Sequence, residues 1–144
     1  MRGIDDALEH IVFLAKRFGK ADEEFILKIL LIEIGIPTRL DGFNCIQDAI
    51  MYLKEHPEAS LSKEVYPALA KLRGIYYRPV RVEGTIRCAI SSAYKHRDSI
   101  WTSYFPGKKR PSNGEFLSRM VKMLEIWKDC TVMEERRVTN EETG

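Results

Sequence analysis

Apolar residues in this chain return every three or four positions, and the alternation that marks a strand is nearly absent. In VRVEGTIRCAISSAY (80–94), Val82, Ile86, Ala89, Ile90, Ala93 and Tyr94 fall on one helical face. The same period predicts a first helix through Ile4, Leu8, Ile11, Val12 and Ala15, ending near Gly19. A second is expected from an Asp22 cap through FILKILLIEI to Gly35, whose missing Cβ suits a left-handed C-terminal position. A third spans GFNCIQDAIMYLKEH (42–56), with Phe43, Ile46, Ala49, Ile50 and Leu53 inward and Pro57 just beyond. A fourth covers about 62–73 and points Val65, Leu69 and Leu72 inward. The run SNGE (112–115) reads as a capping box ahead of a last amphipathic helix through Phe116, Leu117, Met120, Val121, Leu124 and Trp127. From 129 onward the apolar period stops, so a frayed or disordered tail is expected over 129–144. The expected fold is all-α: a compact domain of six to seven helices.

Composition narrows the class. An apolar fraction of 44% and a charged fraction of 31% over 144 residues suit one soluble core. The most apolar run (25–36) is interrupted by Lys28 and Glu33 and is too short to span a bilayer, so no membrane partner is expected. Acids stand where a secretory leader would be basic and then apolar. Cys45, Cys88 and Cys130 lie far apart without CxxC spacing, as reduced thiols would, and together these features predict a cytoplasmic protein. Glycine-rich phosphate loops, HExxH and Cys/His clusters are absent, and His10, His56 and His96 are scattered. The carboxylate pairs Asp5-Asp6, Glu23-Glu24 and Glu134-Glu135 sit at helix starts or in the tail, where acids serve the helix dipole or solubility. Neither catalysis nor a metal or cofactor is expected.

Charge is unevenly spread. Between Lys63 and Arg110 there are eleven Lys and Arg against three acids, a net +8 that leaves −6 elsewhere in a chain of net +2. Such a concentration fits either a polyanion-binding face or a solvated loop region. The short helix at 62–73, the break at 74–79 and the following helix have the layout of a helix-turn-helix. In that layout the second helix, here about 80–95, enters the major groove with its first turns against the bases. Glu83 and Arg87 share a face one turn apart. Arginine can donate twice to guanine and glutamate can accept from cytosine. The same spacing also describes an ordinary surface ion pair. Lys71, Arg73, Arg78, Arg81, Lys95, Arg97, Lys108, Lys109 and Arg110 lie in or beside the unit, where DNA phosphates would flank a groove-bound helix. Lys108–Arg110 also reads as a localisation tract, and Tyr76 and Tyr77 either contact sugars or pack.

Four colinear segments over about 27–127 carry a family resemblance. ILLIEIGIPTRLDGFNCIQDAIMYL, KEVYPALAK, VRVEGTIRCAI and RPSNGEFLSRMV resemble the DNA-binding effector domain of the stage 0 sporulation protein A family of response regulators. The resemblance implies a six-helix DNA-binding domain over 27–128 that reads a box near TGTCGAA, with an extra N-terminal helical segment at 1–26. It carries base-reading roles onto Glu83 and Arg87, and Arg81 matches a family arginine. By analogy it also assigns a contact with RNA polymerase to 98–106. The sequence departs from the family at Gly84, where the motif has arginine, and at Cys88, where it has histidine. Only some 26 residues precede the matched region, too few for a receiver domain. The expected function is a stand-alone, sequence-specific regulator of transcription on double-stranded DNA. A homodimer suits it, since paired half-sites sharpen specificity. The alternative is a protein-interaction paralogue that kept the fold, lost operator specificity and modulates a full-length regulator.

Overall fold

The computed structural model describes residues 4–74 and 76–143. Its helices are α1 (Ile4–Phe18), α2 (Glu23–Ile34), α3 (Asp41–Glu55), α4 (Tyr66–Arg73), α5 (Pro79–Lys95), α6 (Ser99–Tyr104) and α7 (Asn113–Thr143). No strand occurs among the described residues. The all-α expectation holds.

Local chemistry sets most boundaries. The Asp22 carboxylate accepts from the Phe25 N–H at 2.8 Å, and α2 closes on Gly35 at φ 107°, a conformation other residues rarely adopt. A π-helical turn over Leu61–Val65 leads into α4, with the Val65 N–H donating to Ser60 O. Pro67 follows at once; its ring crowds the carbonyl one turn back and it has no N–H to give, which suits a widened turn there. The capping box forms as read: the Ser112 hydroxyl accepts from the Glu115 N–H at 3.1 Å, and Glu115 accepts from the Ser112 N–H at 3.2 Å.

The core gathers around α2, whose Ile26, Leu27, Leu30, Leu31 and Ile34 are buried. The same core holds Ile46, Ala49 and Ile50 of α3, Val82, Ile86 and Ile90 of α5, and Phe116, Met120 and Leu124 of α7, with α3 packed against α2, α5 and α7. Gly42 sets how closely α3 and α5 approach. A Cβ there would stand 2.5 Å from the Ala89 Cβ and 2.7 Å from Thr85 O.

Three expectations need correction. The buried face of α1 is Ala7, Ile11, Leu14 and Ala15, rotated from the expected one, so Val12 is exposed. Leu72 is 77% exposed, because the α4 stripe ends at Leu69 and Ala70. Between α5 and α7 lies a further short helix, α6, opened by Asp98, whose carboxylate accepts from Ile100 and Trp101 N–H groups. Finally, the tail from 129, expected to be without regular structure, forms the last turns of α7. Its partner is α1: Thr131 is buried, with its methyl 3.8 Å from where a Cβ on Gly19 would lie. Packing along one face is enough to carry a helix whose other faces are exposed.

The α1 helix is also fixed by a polar chain. His10 bonds through Nε2 to the Glu33 carboxylate and through Nδ1 to the Tyr104 hydroxyl at 2.6 Å. A carboxylate can only accept, so it is Nε2 that donates to Glu33. Burial, with the Glu33 charge adding to it, pushes the Tyr104 phenol well above its usual range and keeps it a donor.

Candidate nucleic-acid interface

Helices α4 and α5 pack on each other, with Leu69 and Ala70 of the first and Val82 and Ile86 of the second buried, and the chain turns between them. Gly74 (φ 116°) starts that turn, and the Tyr77 N–H returns to Gly74 O at 3.2 Å. Tyr77 is the turn's fastener. Its hydroxyl donates to Asp41 at 2.8 Å, while Arg81 and Arg73 lie over its ring at 4.4 and 5.8 Å. Tyr76, by contrast, is 90% exposed. The pair therefore divides, one ring packed and one at the surface.

With Val82, Ile86, Ala89 and Ala93 buried, α5 turns Val80, Gly84, Arg87, Cys88, Ser91 and Lys95 outward. Gly84 stands near the middle of this stripe, with Arg81 and Cys88 on one flank and Glu83 and Arg87 on the other. The last two meet: Arg87 Nε donates to Glu83 Oε1 at 3.1 Å, with side chains 51% and 37% exposed. An exposed pair of this kind adds only a few tenths of a kcal/mol, about 0.3–0.5, to the fold. It also holds an arginine and a carboxylate side by side on the accessible face.

The cations fall into two groups at the ends of α5, a helix of 17 residues and hence about 25 Å long. Lys71, Arg78 and Arg81 surround its start and are exposed. Lys95, Arg97, Lys108 and Lys109 are exposed at its other end, with Arg110 half-buried. The second group is held together, because Tyr94 donates its hydroxyl to Lys108 O and Arg97 lies 4.1 Å over the Tyr94 ring. Arg73 does not join either group. Its guanidinium is committed to Asp48 at 3.2 Å, so it braces α4 against α3.

Asn113, which sequence reasoning missed, links the three parts. Its Nδ2 donates to the Tyr66 hydroxyl and to the Glu83 carbonyl, both at 3.1 Å, from a buried position. Start of α4, exposed turns of α5 and start of α7 are thus joined at one amide. The signal was present in the VYP, RVE and PSN segments; what no spacing rule gives is that they converge.

A short helix, a fastened turn and a second helix with an accessible, cation-flanked face define a helix-turn-helix DNA-binding domain. The profile of the family described as Sporulation initiation factor Spo0A C terminal matches residues 26–124, more than half the chain. The chain belongs to that family, which makes it a DNA-binding domain of transcription regulation and sporulation. All of α1 and the end of α7, which pack on each other, lie outside the matched range.

Proposed function

We propose that the chain is a stand-alone, sequence-specific regulator that places α5 in the major groove of double-stranded DNA. The observation that carries this reading is the outward stripe of α5 set between two groups of cations. Arg87 and Glu83 read base edges. Lys71, Arg78, Arg81, Lys95, Lys108, Lys109 and Arg110 hold phosphates on either side. The protein works in the cytoplasm, as a homodimer on paired boxes, and the surface of 98–106, where Asp98 and Ser99 are exposed, is where RNA polymerase docks.

One observation favours a second reading, a protein-binding paralogue: Val12 and Phe13 of α1 are 40% and 56% exposed. Fluorescence anisotropy separates the two. Labelled duplexes with one or two TGTCGAA boxes are compared with scrambled duplexes over a salt series, with Arg87→Ala in parallel. The regulator prefers one sequence and loses about 1–3 kcal/mol of that preference with Arg87→Ala. Equal binding to every duplex, fading steeply with salt, would leave only a phosphate grip. Failure of random-site selection to find any other site would then favour the paralogue.

A further inference from the structure

Gly84 is costly where it stands. A glycine inside a helix destabilises it by about 1 kcal/mol relative to alanine, and nothing within the chain asks for one. Its φ is not positive, unlike those of Gly35, Gly74 and Gly107. A Cβ at 84 would meet only Arg87 Nη2, at an ordinary 3.6 Å. Gly42, a few residues away in space, is the opposite case, pressed against Ala89 and Thr85. The side chain missing at 84 is therefore missing from the outer surface.

What its absence creates there is a shallow depression of about 390 Å³. Leu40, Gly42, Gly84, Thr85 and Cys88 line it, together with Asp41 and Arg81. Of the two charged members, Asp41 accepts from the Tyr77 hydroxyl, and Arg81 stacks on the Tyr77 ring with its donors left for the phosphate assigned to it above. What they leave is an aliphatic side chain, two glycines, a threonine and a thiol. This surface has little to offer a base's polar edge, and the helical N–H and C=O groups beneath it are already paired. It fits the one apolar feature of the major groove, the thymine methyl.

We propose that the depression at Gly84 receives the 5-methyl group of a thymine, making Gly84 a specificity-determining position. The inference rests on the placing of α5 in the major groove argued above. Arg87 and Glu83 then read one side of the helix by hydrogen bonding, while the backbone at Gly84 reads the next base by close approach. A larger residue there would fill the space and hold the helix away.

Thymine-to-uracil replacement removes the methyl and nothing else. The preferred duplex, obtained by random-site selection with the full chain, is resynthesised with each thymine changed singly to uracil. Affinities are measured at one salt concentration for the natural chain and for Gly84→Leu. The expected result is one thymine whose replacement weakens binding about four-fold, the factor for one methyl leaving an apolar contact. In Gly84→Leu that dependence disappears and affinity for the thymine duplex falls. The variant has open space for its side chain, and a thermal melt at or above that of the natural chain establishes that it folds. If no thymine responds to loss of its methyl, or if Gly84→Leu keeps the same dependence, the inference is wrong while sequence-specific binding stands. If selection yields no preferred duplex, the groove-reading role and the inference fall together.

Discussion

Asn113 shows how much one buried amide can coordinate. Truncation to alanine leaves the Tyr66 hydroxyl and the Glu83 carbonyl each without this donor, and buried groups deprived of a partner cost about 1–3 kcal/mol. Asn113→Ala is accordingly expected to lower the unfolding free energy by that amount, read as a lower urea midpoint with an unchanged m-value. Gly84→Ala should move stability the other way, by up to about 1 kcal/mol, since its Cβ enters open space. Thermal denaturation reads both, and a melt of Gly84→Ala below that of the natural chain would mean the glycine serves the fold after all. At this scale the sequence exposed the Glu83–Arg87 pair, because four residues along a helix is a local relation. It concealed the Arg73–Asp48 bond and the reach of Asn113, which join positions 25 and 30 residues apart.

Elements were legible in proportion to their length. Helices α1, α2, α3, α5 and the start of α7 announce themselves by several turns of repeating apolar residues. The six residues of α6 hold too few turns for a period to show, and its identity lies instead in Asp98 and the buried Trp101 and Tyr104. The end of α7 eluded the sequence for a different reason: its stabilising contacts come from α1, more than a hundred residues earlier. Contact between elements also makes testable demands. Gly42→Ala pushes a methyl into Ala89 and Thr85, so it should destabilise by about 1–3 kcal/mol and is checked by the same melts. Glu23 ties the start of α2 to Lys54 of α3 and, at 3.0 Å, to Lys128 of α7. Burial opposes its charge, yet the hydrogen bonds from both lysines outweigh that and hold its carboxyl below the usual range. Because the folded value lies below the unfolded one, this contribution is complete above the unfolded value and is lost as pH falls through the folded value. Stability of Glu23→Gln should therefore depend less on pH across the acid limb than that of the natural chain, as parallel denaturation curves from neutral to acid pH would reveal.

Over the whole molecule, the excess of +8 between 63 and 110 is resolved into two cation groups separated by the length of α5. Counter-ion release makes the salt dependence of DNA binding a count of phosphate contacts, at about 0.9 in slope for each. Replacing Lys108 and Lys109 together by alanine should reduce the slope of log K against log salt by about 2. Affinity should drop to a similar extent on preferred and scrambled duplexes, as anisotropy titrations would register. The bond from Tyr94 to Lys108 has a consequence of its own. Because it pins the basic loop to α5, and Tyr77 holds Arg81 at the opposite end, the two groups resemble the jaws of a caliper set at one opening. A duplex must come to that opening rather than the reverse. Base pairs outside the box, touched by no side chain, would then affect affinity through how readily they let the groove adjust to the gap.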